Sequence, residues 1–297
     1  MLQPHAEASR RVSTTAQPLL RGCPTCGRLT KHAQLYSIGA NTILRCAVCG
    51  LGRTEAPAFE PKRYYTDDYF TGQHTDGYAD YRGAEAVLRR EFARTVAFMH
   101  RYCLGGRLIE LGCAYGFFLQ EARRFFKVSG VELAEDAAAH CRRTGLEVLT
   151  GAADAATLDR LGRADAVVLL DVIEHLPDAR ETLRLAAQRL DPGGIILITT
   201  GDFASLYARL AGRHWRLMTP PQHLWFFTPD SMRRLAQSLG LRVESLDHPW
   251  KVVPLSLISY QLRRMFGLEG PAARSTIGLP VNLLDAMRIV MRKPMQP

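Results

Sequence analysis

The sequence predicts an α/β fold with a mostly parallel sheet, preceded by a small metal-stapled module. Three observations predict it. Apolar runs alternate with amphipathic stretches from Ala84 to Thr200, the pattern of strands joined by crossover helices. The run "RLIEL" leads into the small-residue turn "GCAYG" and then into a helical stretch, so a strand end and free helix N–H groups meet at one loop. Two Cys-x-x-Cys pairs, Cys23 with Cys26 and Cys46 with Cys49, stand at the front, each followed by glycine.

The elements follow in chain order. Residues 1–20 read as a disordered tail, because Arg10 and Arg11 have no apolar run behind them to make an export signal. Residues 21–56 read as a zinc ribbon carrying the strand-like runs "LTKHAQLYSI" and "TILRC". Two tight turns aim four thiolates at one cation, and soft donors in a closed tetrahedral shell select structural Zn2+. A thioredoxin-like redox pair would need one motif beside a helix instead. Residues 57–83 form a linker with tyrosines at 64, 65, 69, 78 and 81.

The main domain takes residues 84–297. Val87, Leu88, Phe92, Val96, Met99 and Cys103 fall at helical spacing. "RLIEL", "VSGVE", "EVLT", "AVVLLD" and "IILITT" read as strands. "GFFLQEARRFF" is a helix, "AEDAAAHCRRTG" a helix closed by Gly145, and "DARETLRLAAQRL" a helix ended by a "DPGG" turn. "TPDSMRRLAQSLG" has Thr228 as N-cap, Pro229 at the first helical position and Gly240 past its end. "LRVESLDH" and "MRIVMRK" are the last strands, and "PLSLISYQLRRMFG" predicts a helical lid within an insertion near 252–285.

Composition bounds the function. No stretch reaches the roughly 20 apolar residues of a spanning helix. Seven cysteines, three of them scattered singly, fit a reducing compartment and predict a cytoplasmic protein. The net charge of +9 raises nucleic acid as a partner, but only five of 38 basic residues are lysine and no basic run forms. Dispersed arginine of this kind points away from a nucleic-acid surface. A homodimer stays open.

The loop after "RLIEL" carries the chemistry. The strand ends at Glu110, and Gly112, Cys113, Ala114 and Gly116 form the turn. Twenty residues after Gly112 the next strand ends in Glu132, where a carboxylate accepts hydrogen bonds from both hydroxyls of a ribose. Glu110 would face a dinucleotide's pyrophosphate; it suits a ligand with a positive centre and a free amino group.

"ELGCAYG", "GVELAED", "DVIEHLPD" and "LDPGGIILITT", in this order and spacing, resemble class I S-adenosylmethionine (SAM)-dependent methyltransferases over roughly residues 84–250. The resemblance implies a Rossmann-like fold, with a seven-stranded, mostly parallel sheet whose last strand is antiparallel. It assigns Glu110 and Gly112 to the methionine end of SAM and counts Cys113 and Ala114 of the same loop as cofactor-binding. Gly116 tightens the loop, Glu132 takes the ribose, Ala153 and Asp154 lie near the adenine, and Asp171 borders the methyl-donor end. Ala114 stands where the family usually has its middle glycine.

Asp171, Glu174 and His175 admit three readings: Glu174 and His175 hold the loop, His175 accepts a proton, or the set binds metal. The last resembles metal-dependent O-methyltransferases of the ubiquinone and RNA 3′-end types, and it implies Mg2+ with His223 as a further ligand. The stretch 201–227 is dense in aromatics; Trp225, Phe226 and Phe227 read as core, Trp215 and His223 as site lining. "PPQHLWFFT" resembles the His-x-x-Tyr-Phe-Ser stretch of sugar C-methyltransferases, which makes His223 the base.

A ribbon, a Tyr-rich linker and this core together resemble bacterial methyltransferases of polysaccharide, sugar-nucleotide and secondary-metabolite pathways. The tylosin-type sugar C-methyltransferases carry a further C-terminal domain for which this chain stops too soon. O-methylation of a saccharide or small hydroxylated metabolite is therefore the leading expectation. The alternatives are an RNA or other nucleic-acid methyltransferase that docks through the ribbon, and a non-catalytic SAM-binding protein.

Overall fold

The computed structural model describes residues 18–56, 59–60, 64, 70, 80–255 and 277–295. Nearly all of the expected N-terminal tail, most of the Tyr-rich linker and the lid helix in "PLSLISYQLRRMFG" lie outside the described residues. Four antiparallel strands open the chain: β1 (Leu19–Cys23), β2 (Arg28–Ile38), β3 (Asn41–Cys46) and β4 (Gly52–Glu55). Gly27 and Gly50, at φ +66° and +74°, turn the chain back after each cysteine pair, and their N–H groups bond to the carbonyls of Cys23 and Cys46. These left-handed positions are why each pair is followed by glycine.

The main domain alternates helix and strand. Helix α1 (Glu85–Met99) precedes β5 (Gly106–Leu111), α2 (Phe117–Ala122), β6 (Phe126–Glu132), α3 (Glu135–Arg143) and β7 (Glu147–Thr150). Then come α4 (Ala155–Leu161), β8 (Ala164–Leu170), α5 (Ala179–Arg189), β9 (Leu190–Gly201) and α6 (Leu206–Ala211). The two-residue β10 (Trp225–Phe226), α7 (Pro229–Ser238), β11 (Arg242–Asp247), β12 (Lys251–Pro254), β13 (Gly278–Val281) and β14 (Ala286–Arg292) complete the order. Thr228 caps α7 in a reciprocal capping box with Ser231, and Pro229 opens the helix, as the sequence pattern predicts.

Seven strands form one sheet in the order β11-β14-β9-β8-β5-β6-β7. Strand β5 pairs in parallel with both β6 and β8, while the last strand, β14, is antiparallel to β9 and β11. The chain winds outward from β5 through β6 and β7, then returns to lay β8 on the other side. That reversal opens a crevice at the carboxyl ends of β5 and β8, where ligands bind in open α/β sheets. Strands β8 and β9 are buried on both faces, with Val167 to Leu169 and Ile195 to Ile198 at 0–1% exposure, so their runs are continuously apolar rather than alternating. Each such side chain contributes about 1.5–3 kcal/mol of burial.

Four elements differ from the sequence reading. "DPGG" is not a free turn but lies within β9, where the register with β8 shifts between Ala164 and Ala166. Helices α4 and α6 were not expected; each is nucleated by a capping side chain, Asp154 on the Thr157 N–H and Ser205 on the Ala208 N–H. The ribbon is also not closed on itself. Trp225 and Phe226 pair with Arg53 and Gly52, so β10 adds a fifth strand to the ribbon sheet. Gly52 is required there, because a Cβ would sit 2.9 Å from both Phe203 and Phe226.

Candidate functional site

The cofactor loop is built as the strand–turn–helix order requires. Gly112 has φ +74°, and a Cβ on it would meet Val172 at 2.7 Å; Gly116 has φ +75° and would meet Leu146 at 2.5 Å. Both positions therefore exclude side chains. Ala114 also holds a positive φ, +45°, the backbone for which glycine is usual; an L-residue there costs roughly 1–2 kcal/mol. Glu132 anchors the strained loop. Its two carboxylate oxygens accept the Ala114 N–H at 2.7 Å and the Ala134 N–H at 2.9 Å.

Glu110 is 3% exposed, and its Oε2 has no hydrogen-bond partner among the described residues. Burial pushes its carboxyl well above the usual range, helped by the nearby Cys141 and Glu132. An orphaned carboxylate oxygen beside a loop of small residues fits a ligand that brings its own cationic donor. Cys113 is buried within the loop and 2.9 Å from where a Gly130 Cβ would stand, so it packs the loop against β6. Asp154 caps α4, and Ala153 is half-buried against the main core.

The other end of the crevice gathers residues from distant segments. Asp171 follows β8 with φ +54°, and Glu174 and His175 lie on the 3₁₀ turn Ile173–His175. His223 arrives from the 217–225 loop. The two imidazole rings are 4.6 Å apart at 67°, and ligand atoms of Glu174, His175 and His223 lie within 4.8 Å of one another. His175 Nδ1 is 3.0 Å from the Gln222 carbonyl, and His223 Nδ1 is 2.7 Å from the Leu217 carbonyl. A carbonyl only accepts, so each Nδ1 carries the proton and each Nε2 keeps a lone pair.

Burial lowers His175 to about 4 and, with the neighbouring His175 adding to it, His223 to about 3. Both rings are therefore neutral near pH 7. Burial and the Asp171 charge raise Glu174 to about 8, and its Oε2 is buried without a partner among the described residues. Asp171 is held differently. Desolvation opposes its ionisation, but the Lys251 ammonium, 2.7 and 3.0 Å from its oxygens, and the Thr199 hydroxyl keep its carboxyl below the usual range.

Two expectations are corrected here. Trp215 does not line the site: it is 2% exposed, its Nε1 donates to Asp285 at 2.8 Å, and it stacks on Phe203. Nor do the residues assemble an oxygen-rich set for Mg2+. Two imidazoles and one carboxylate come together while Asp171 is engaged by Lys251, a donor set that suits a transition metal better. Trp225, Phe226 and Phe227 are buried, as expected. Lys251 itself carried no sequence signal, standing 80 residues from its partner with no motif around it.

The four front cysteines converge. Cys23 and Cys49 sulfurs are 3.5 Å apart, Cys26 and Cys46 are 4.0 Å apart, and all four lie within 4.8 Å of one another. Zinc–thiolate bonds of ~2.3 Å in a tetrahedron need sulfurs ~3.8 Å apart, so the residues fit that ion. Thr30 Oγ1 and the Val48 N–H lie 3.2 and 3.4 Å from the Cys46 sulfur, a polar shell of the kind that orients a metal ligand.

Residues 84–246 match the family of the methyltransferase domain. The chain belongs to this methyltransferase family. Among sequence relatives, it is 33% identical over 142 residues to a ubiquinone biosynthesis O-methyltransferase of Caulobacter sp. (strain K31), covering 43% of this chain and 56% of that protein. It is 29% identical over 157 residues to the enzyme of the same name from Azoarcus sp. (strain BH72), covering 48% and 66%. The chain thus spans between half and two thirds of the length of these relatives. The magnesium protoporphyrin IX methyltransferase of Synechocystis PCC 6803, solved with SAH bound, superposes with a TM-score of 0.51 at 14% identity, over 78% of this chain and 97% of that one. That likeness is one of fold: a Rossmann-like methyltransferase sheet with its last strand antiparallel. Among the described residues no helix is long and apolar enough to cross a membrane.

Proposed function

We propose that the protein transfers a methyl group from SAM to a hydroxyl oxygen of a saccharide or small hydroxylated metabolite. The observation that carries this reading is the pair of neutral imidazoles whose Nδ1 protons are spent on backbone carbonyls. They stand at the carboxyl end of β8, beside the crevice that the glycine loop opens. When bound, SAM supplies an electrophilic methyl on a sulfonium sulfur. The Gly112–Gly116 loop leaves room for it, Glu110 accepts from its amino group, and Glu132 accepts from its ribose while keeping its bonds to the loop. His223 Nε2 takes the hydroxyl proton of the acceptor, and His175 packs beside it. Alignment in a dry site supplies most of the acceleration of such a displacement.

A second reading rests on Glu174. Its Oε2, without a hydrogen-bond partner among the described residues, together with two histidines oriented through carbonyls, is the arrangement of a two-histidine, one-carboxylate metal site. Here a metal held by these residues would lower the pKa of the acceptor hydroxyl, in place of a base.

The test uses methyl-labelled SAM and a heat-treated bacterial extract as acceptor source. His223→Asn is expected to keep SAM affinity within about twofold and to lose about 10²-fold or more in transfer; unchanged transfer removes His223 as base. Transfer that EDTA abolishes and Mn2+ restores, with the ribbon metal retained, favours the metal reading.

A further inference from the structure

Between the ribbon sheet and the loop that carries His223 lies a cavity of about 650 Å³, which the proposed transfer chemistry does not use. Neither histidine lines it. Its walls are Thr42, Arg53 and Glu55 from the ribbon and Pro177, Leu224 and Trp225 from the main domain. The volume falls within the roughly 300–1,000 Å³ of small-molecule sites. Trp225 is 9% exposed and locked in place, its Nε1 donating to the Leu176 carbonyl at 2.8 Å, so the part of its ring that reaches the cavity is a fixed apolar edge.

The charges on the ribbon side do not cancel. Arg21 occupies both oxygens of Glu55, through Nε on one and Nη2 on the other. Arg53 reaches the same carboxylate only at 4.0 Å. It spends Nη1 on the Gly22 carbonyl at 3.0 Å and stands 5.5 Å from the Trp225 ring centroid, within cation–π range. Its Nε is buried and has no hydrogen-bond partner among the described residues. Two guanidiniums thus share one carboxylate, and among the described residues Arg53 Nη2, 4.0 Å from Glu55, makes no hydrogen bond, an arrangement that an incoming anion relieves.

We propose that this cavity binds a ring-bearing anion, the ring lying against Trp225 and Leu224 and the negative group on Arg53. An aromatic carboxylate and a glycosyl phosphate share this chemistry. The site is bound to the transfer end through the backbone. The Leu224 N–H donates to the Glu174 carbonyl at 2.8 Å, and the Thr54 Oγ1 donates to the His223 carbonyl at 2.6 Å. A ligand pressed on Leu224 therefore touches the segment that positions His223.

The full chain is titrated calorimetrically with benzoate, with glucose 1-phosphate and with cyclohexanol as a neutral ring. Saturable binding of at least one anion and none of cyclohexanol is expected; which anion binds assigns the source. Arg53→Met should weaken that binding about tenfold or more, as loss of a charge-assisted hydrogen bond does, while leaving SAM affinity unchanged. Where benzoate is the anion that binds, 4-azidobenzoate should photolabel wild-type peptides containing Thr42–Glu55 or Leu224–Trp225, an outcome that does not depend on the variant folding. No saturable anion binding, equal binding in Arg53→Met, equal binding of cyclohexanol, or labelling confined to other peptides overturns the proposal. A wild-type chain that fails to bind SAM would instead overturn the methyltransferase reading and leave this one standing.

Discussion

Glu110, Gly112, Ala114, Gly116 and Glu132 belong to one strand–loop–helix–strand unit, while Asp171, Glu174, His175, His223 and Lys251 come from separate segments up to 80 residues apart. The cofactor crevice holds itself together with bonds made inside the unit, such as Glu132 to the Ala114 and Ala134 amides. The transfer end is held from outside. Thr54 of the ribbon donates through its hydroxyl to the His223 carbonyl and through its N–H to the Leu224 carbonyl. Cys23, Cys46, Cys49 and Leu51 share one apolar cluster with Ile173, Trp225 and Phe227. The difference teaches that the ribbon is a wall of the transfer end, whereas the cofactor crevice is largely independent of it.

The largest expected effect breaks the two ends apart. If the four cysteines hold zinc, Cys46→Ser removes a ligand that is 2% exposed and should lower Tm by about 10 °C or more, since structural zinc sites contribute folding energy outright. Hydrogen exchange should show the Leu224 amide losing protection while amides of β5 and β6 keep theirs. Uniform loss across both ends would erase the distinction drawn here.

A smaller effect concerns Glu174. Its folded-state carboxyl sits near 8, above the ordinary 4.5, so the folded chain holds that proton more tightly than the unfolded one. The resulting stability is present below pH 4.5 and is lost as pH rises through about 8. In chelator, Glu174→Gln should therefore melt above the wild type by a margin that grows over that window. The histidines run the other way. Their lowered values make both proteins lose stability as pH falls from 6.5 toward 4 and 3, so the acid side should show no such gap in scanning calorimetry. The smallest effect falls on the cofactor loop: Ala114→Gly relieves the positive φ but adds unfolded-state freedom, and the two should cancel to within about 1 kcal/mol.

Legibility in the sequence follows the same division. The glycine loop, Glu132 and the five parallel strands were readable because local pattern and spacing determine them: a buried run, a small-residue turn, a carboxylate twenty residues on. The cysteine pairs were readable for the same reason. At the transfer end, the sequence offered His175 and His223 as separate candidates, but that their rings meet at 4.6 Å depends on β10 being drawn into the ribbon sheet. A two-residue strand has no periodicity to detect. Lys251 was missed because an ion pair with Asp171, 80 residues away, leaves no trace in local spacing, and Trp215 was misread because aromatic density alone does not say which ring finds a buried acceptor such as Asp285.

The proposal that SAM binds at the Gly112–Gly116 loop and Glu132 underlies both ends of the site. Isothermal titration of SAM into the wild-type chain and into Glu132→Ala tests it most directly. Saturable binding to the wild type, weakened at least tenfold in the variant as two loop amides and a ribose lose their acceptor, is the predicted result. Equal binding in both proteins, or none in the wild type, would contradict it.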